Sequence, residues 1–244
     1  MNVTDRENTP IYQMRAYLFY LKPIVWRRFL VRRDASIEHL HQVICCLFDF
    51  NPGYPYQFRA GKVHFSVGIE KESYLTALIE DWKQDTITEM VDEKTVPIDS
   101  MVEQVKGQKS PYKRNIFFDY QAPDRIKITE TDEEIIFDLR DQRTVNWTTV
   151  ISCEKGLPLE NGRYYPCCIT GERASPPSCF SGEHDYSTFL NNRKRLGESA
   201  MIQGLKIRYG KRATESVKLI ENGFDPVTFD LKNTNQCIGR ITQS

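Results

Sequence analysis

Seven thiols, four imidazoles and two basic blocks are the groups in this chain with chemical potential. The thiols are Cys45, Cys46, Cys153, Cys167, Cys168, Cys179 and Cys237, and the imidazoles are His39, His41, His64 and His184. Thiolate and imidazole are zinc's usual ligands, so Cys167 or Cys168 with Cys179 and His184 is the one set that suits a metal. Its spacing is irregular and no C-x-x-C pair occurs, so no metal is assigned. The plain alternative is cysteines packed as small hydrophobes. A nucleophilic thiol needs a base within hydrogen-bond reach, and nothing local marks one of the seven as activated. His39 and His41 flank the apolar face of a helix and read as surface or boundary residues. There is no G-x-S-x-G elbow, no H-E-x-x-H, no Walker loop and no dinucleotide fingerprint. No catalytic residue and no cofactor are therefore assigned. If the chain is an enzyme after all, a metal-assisted hydrolase or nuclease, its acids would be Asp119, Asp124 and Glu172.

The two basic blocks carry the main expectation. Residues 15–33 hold Arg15, Lys22, Arg27, Arg28, Arg32 and Arg33 with no acid among them. Residues 193–218 hold Arg193, Lys194, Arg195, Lys206, Arg208, Lys211, Arg212 and Lys218 against Glu198 and Glu215. Cations interleaved with Tyr17, Tyr20, Trp26 and Tyr209 suit phosphate contact with base stacking. Arg27, Arg28, Arg32, Arg33, Arg193, Lys194, Arg195, Arg208, Lys211 and Arg212 are the expected nucleic-acid contacts. The opposing reading is a solvated face whose cations pair with the acidic stretch 70–103. Over the whole chain 33 Lys+Arg balance 33 Asp+Glu, which excludes a uniformly basic binder and a uniformly acidic mimic and leaves local patches open.

Elements must position these groups. Residues 12–20 and 24–31 read as two strands broken at Lys22-Pro23, forming an antiparallel pair. Trp26 is expected to pack in the core. Arg27 and Arg28 point to opposite faces of their strand, one of them partly buried and salt-bridged. Asp34 and Ser36 are both N-cap types for a helix starting near Ile37. Ile37, Leu40, Val43, Ile44, Leu47 and Phe48 then share one face, and Asn51-Pro52-Gly53 ends the helix. Strand alternation resumes over 56–69 with a turn at Gly61. The acidic middle reads as short helices near 71–82 and 98–105 around a mobile stretch. Residues 114–121, 124–130, 134–139 and 143–153 read as strands, 155–177 as a loop, and 186–195 and the segments after Ser199 as helices. This order predicts an α+β fold with a mainly antiparallel sheet and an N-terminal β-β-α-β unit. Residues 1–244 form a single domain in this reading, with an 11–195 core and a 196–244 helical extension packed on it.

No apolar run approaches the roughly 18–20 residues that span a bilayer. The first ten residues lack a signal-peptide layout. With an odd cysteine count, this predicts a cytoplasmic chain with reduced thiols and no membrane contact.

Three segments carry a resemblance. The first is Leu21-Lys22-Pro23-Ile24-Val25-Trp26-Arg27-Arg28 with Leu40-His41-Gln42-Val43-Ile44. The second is Cys168-Ile169-Thr170-Gly171-Glu172-Arg173-Ala174-Ser175-Pro176-Pro177 with Tyr186 and Phe189-Leu190. The third is Phe224-Asp225-Pro226 with Phe229-Asp230-Leu231. Together they resemble the plasmid pRiA4b ORF-3-like family, from about residue 11 to 236. The resemblance implies a compact α+β domain found on plasmids, transposons and prokaryotic genomes, and no mechanism. The family's Gly-Asp-x-Trp-x-His run is missing at Gln121–Ile126, its histidines are missing at Tyr54–Phe58, and Ser178-Cys179 stands where Glu-Asp often follows the prolines. If those positions formed a metal or acid–base site, this chain has lost most of it. If they formed hydrogen-bonding networks, only packing has changed. The function expected is that of a non-enzymatic binding or regulatory protein of mobile elements, acting through a nucleic-acid or protein partner. Metal-assisted hydrolysis is the alternative, and a protein-interaction adaptor in defence or counter-defence is the second alternative.

Overall fold

The computed structural model describes residues 9–54, 56–61, 63–66, 87–90, 94–110, 112–122, 145–177, 180, 182–209 and 214–241. Its strands are β1 (Ile11–Leu18), β2 (Trp26–Arg32), β3 (Tyr56–Ala60), β4 (Val63–Ser66), β5 (Ile87–Met90), β6 (Ile116–Ala122), β7 (Val145–Leu157) and β8 (Cys167–Glu172). They form one sheet in the order β5-β4-β3-β6-β7-β1-β2-β8. All neighbours are antiparallel except β4 and β5. The helices are α1 (Ile37–Phe48), α2 (Ile98–Val105), α3 (Glu183–Leu196), α4 (Glu198–Tyr209), α5 (Thr214–Glu221) and α6 (Leu231–Ile241). The fold is α+β, and its N-terminal order β-β-α-β is the one the sequence predicts.

Alternation explains the sheet. Tyr12, Met14, Ala16 and Leu18 of β1 are buried, while Gln13, Arg15 and Tyr17 between them are half-buried. The first set joins a core with Phe29, Phe58, Phe118, Ile151 and the apolar face of α1. Ser36 caps α1, its hydroxyl accepting the His39 N–H at 3.2 Å. Asp34, the other N-cap candidate, is drawn to Arg32 instead. The helix ends earlier than Asn51-Pro52-Gly53, because Asp49 takes a left-handed conformation (φ 58°) and its N–H returns to the Cys45 carbonyl. The β3–β4 hairpin turns at Gly61, whose φ of 63° favours glycine. Ile220 of α5 and Ile238 of α6 enter the same core cluster.

Several expectations are corrected. Residues 155–177 are not one loop: β7 runs on to Leu157, and Cys167–Glu172 forms edge strand β8 against β2. Strand β8 lacks an apolar period, and its backbone is held from outside the sheet as well. The Asn235 side chain accepts the Cys168 N–H at 2.8 Å and donates to the Cys168 carbonyl at 2.9 Å. Strand β5 falls inside the acidic middle, where four residues are too few to show a period. Trp26 leaves the core, since Arg27, Phe29 and Val31 occupy the core face of β2 and Trp26 shares the other face with Arg28. The thiols are not all reduced: Cys46 of α1 and Cys237 of α6 form a disulfide, Cα to Cα 5.6 Å. The two residues lie 191 apart, so only the packing of α6 on α1 brings them together. The expected helix near 71–82 and strands at 124–130 and 134–139 lie outside the described residues. Among the described residues no helix is long and apolar enough to cross a membrane.

Candidate nucleic-acid interface

Folding sorts the ten expected contacts by their environment. Arg27 is fully buried. Its Nε donates to the Leu47 carbonyl at 3.0 Å, and its Nη1 to the carbonyls of Trp26 and Glu172, both at 2.8 Å. Its Nη2 donates to Ser175 Oγ at 3.1 Å, and the guanidinium lies 3.9 Å over the Phe229 ring. Burial pulls its pKa down to about 10. Burial without a carboxylate makes Arg27 a joint: it ties α1, β2, β8 and the segment before α6 by neutral acceptors and a ring. Gly171 makes room, since a Cβ there would meet Arg27 Cδ and the Trp26 carbonyl at 2.8 Å. Arg27 is therefore removed from any interface. The partly buried, salt-bridged arginine expected of this pair is its neighbour Arg28.

Arg28 takes the ion pair. Its Nε and Nη2 meet the two oxygens of Glu154 at 2.7 and 2.8 Å, and the pair is only half-buried. The bidentate geometry holds the Glu154 carboxyl below its ordinary range, with Gln13 assisting. Arg32 is forked onto Asp34 at 2.9 and 2.7 Å, in the open. Arg33 is buried: its Nη2 lies 2.8 Å from Asp99 Oδ1, which also accepts the Tyr12 hydroxyl. Burial and then the Asp99 carboxylate push the Tyr12 hydroxyl far above its usual value. Burial withdraws Arg33 from solvent as it does Arg27.

The later block stays outside. Arg193, in the last turn of α3, donates to the Phe224 carbonyl and to Glu198. Lys194 and Arg195 beside it are exposed and make no hydrogen bond or ion pair among the described residues. Arg208 lies in the last turn of α4. Its side chain, with Lys211 and Arg212, lies outside the described residues. Leu196 and Ile207 of the same segment are 46% and 78% exposed.

The catalytic alternatives fare differently. Asp119 on β6 is held by Arg59 at 2.6 Å, Gln57 at 3.1 Å and Thr148 at 2.9 Å. Glu172 ends β8, four strand positions from β6, about 19 Å at the usual spacing of ~4.8 Å. The two cannot share a metal ion, and Asp124 lies outside the described residues. Cys167 and Cys168 are successive strand residues and face opposite sides. Burial raises the thiol pKa to about 11 at Cys168 and Cys153 and to about 12 at Cys45, the reverse of nucleophile activation. Cys179 and the His184 side chain lie outside the described residues. Among the described residues no group of three or more metal-binding side chains converges. His41 is no boundary residue: it is buried, stacked 3.5 Å from Tyr56, and neutral.

Sequence reasoning missed one cluster. On the sheet face away from α1, Arg15 and Arg28 are Cα partners across β1 and β2, and their guanidiniums lie 4.9 and 5.5 Å from the Trp26 ring. The signal was present in the polar alternation Gln13, Arg15, Tyr17, once β1 and β2 are paired in register.

Comparison with known proteins finds a structural likeness and a family resemblance. No curated protein matches the chain. The crystal structure of a protein of unknown function, MM3350 from Methanosarcina mazei Go1, superposes with a TM-score of 0.58 at 18% identity, covering 91% of this chain and 95% of that one. That likeness shows the fold alone. The model of the family described as plasmid pRiA4b ORF-3-like protein matches residues 10–122, which include the Lys22-Pro23 to Arg28 segment and α1. Over these residues the chain is similar to the plasmid pRiA4b ORF-3-like family, as its sequence motifs suggest.

Proposed function

We propose that the chain acts by binding, with nucleic acid as its ligand and residues 193–218 as the contact surface, in the service of the mobile element or genome that carries it. The observation behind this reading is the pair Lys194 and Arg195 at the end of α3, exposed and without an ion pair among the described residues. A cation that neutralises phosphate must face solvent, because the affinity comes from counterions released from the nucleic acid. Arg27 and Arg33 fail that condition by burial, and Arg28 and Arg32 are engaged by carboxylates. Asp119 is tied up by Arg59, Gln57 and Thr148, and burial keeps the Cys45, Cys153 and Cys168 thiols protonated, which favours binding over hydrolysis.

Fluorescence anisotropy of labelled DNA and RNA, single- and double-stranded, tests this across a salt titration. Affinity that falls with salt supports the reading, and absence of binding at low salt sinks it. A protein-adaptor reading has one observation in its favour. Leu196 and Ile207 are apolar and exposed in the same segment as the cations. Co-purification from the native host of a stoichiometric protein partner, released by Leu196→Asp with Ile207→Asp, would favour it.

A further inference from the structure

We propose that the sheet face around Arg15 holds a phosphodiester of a single-stranded nucleic acid, with Trp26 beneath the cation. This rests on the nucleic-acid reading above and adds a second contact that the basic helical segment does not supply. Arg15 and Arg28 are directly opposed on neighbouring strands, an arrangement of like charges that disfavours the sheet by itself. One carboxylate serves both. Glu154 spends its two oxygens on Arg28 and also accepts from Gln13. Arg15 is left over: among the described residues it makes no hydrogen bond or ion pair, and its Nε is shut away from solvent without a partner. Two cations against one carboxylate leave the cluster with a surplus positive charge.

The surroundings fit a phosphate followed by a base. The Trp26 ring attracts both guanidiniums by cation–π interaction and keeps the Arg15 cation beside it. With Nε buried, the two Nη groups of Arg15 are the donors left to meet two phosphate oxygens. Tyr17 is the Cα partner of Trp26 on β1, so a second half-buried aromatic flanks the cation. Half-exposed side chains with π faces take unstacked bases, which a single strand offers and a duplex does not.

The test is the salt dependence of oligothymidine binding by the full chain and by Arg15→Gln. The probe is a labelled strand of about fifteen nucleotides, long enough for one such site. The variant is expected to bind about five- to tenfold more weakly, with a log–log salt slope shallower by about 0.7, the share of one phosphate on a single strand. Arg15→Lys should recover the slope. If the wild type binds and Arg15→Gln matches it in affinity and slope, this assignment falls while the nucleic-acid reading stands. If the wild type does not bind at low salt, both fall. Tryptophan emission gives a second measurement without a charge variant. Oligothymidine should quench the wild type and leave Trp26→Phe unquenched, whereas equal quenching overturns the assignment. An acidic peptide that binds with Arg15 dependence where oligothymidine does not also overturns it.

Discussion

Replacing His41 with leucine should remove a measurable part of the protein's sensitivity to acid. His41 lies on the buried face of α1, stacked 3.5 Å from Tyr56 and tilted 5.9 Å from Phe118, and its Nε2 has no hydrogen-bond partner. Burial pulls its pKa from 6.5 down to about 4. A histidine depressed in the folded state binds its proton more readily when unfolded, so stability rises with pH across that window. The contribution is fully present above the unfolded value and is lost as pH falls from about 6.5 to about 4. At 1.36 kcal/mol per pKa unit the complete loss is about 3 kcal/mol. Between about pH 7 and about pH 5 the linkage relation gives ~2 kcal/mol. Asp34, Glu154 and Asp225, all held below their ordinary range, lose stability in the same direction, but wild type and variant share those losses. The assay is urea denaturation of both proteins at the two pH values. His41→Leu should lose ~2 kcal/mol less than wild type on acidification. Equal losses would refute the buried, neutral imidazole.

Three other perturbations probe the joint around Arg27 and the attachment of α6. Gly171→Ala would drive a methyl into Arg27 Cδ, the Trp26 carbonyl and Phe229 Cε1, all within 2.9 Å. It should cost about 1–3 kcal/mol in denaturant midpoint, as overpacked sites do. Asn235→Asp keeps the acceptor for the Cys168 N–H but loses the donor to its carbonyl, and should cost about 1–3 kcal/mol in the same measurement. Cys237→Ser, or reductant acting on wild type, should lower the unfolding midpoint by about 2–4 kcal/mol equivalent, with no further effect of reductant on the variant.

Much of the front half was legible because periodicity there is undisturbed. Ile37, Leu40, Val43, Ile44, Leu47 and Phe48 mark α1, and the helix expected near 98–105 is present as α2. The N-terminal strand pair follows from alternation on either side of Lys22-Pro23. What escaped was set by long-range partners. Strand β8 is held by β2 and by the Asn235 amide, 67 residues further on. The Cys46–Cys237 bond joins residues whose spacing carries no information about their proximity. Within the basic block 15–33, alternation sends Arg27 into the core and leaves Arg15 and Arg28 on the other face. Only the register and the positions of Glu154, Asp99 and Asp34 reveal which charges remain available. Trp26 was misplaced for a related reason: the buried arginine occupies the core position that an aromatic would otherwise fill.

The most direct test of the binding account compares wild type with Lys194→Gln/Arg195→Gln on labelled single-stranded DNA, titrated from about 50 to about 200 mM salt. The wild type should bind at low salt and lose affinity linearly on log–log axes. The double variant should bind more weakly, with a slope shallower by about 1.4, two phosphates at ~0.7 each. A wild type that fails to bind at the lowest salt, or whose affinity ignores salt, would contradict it.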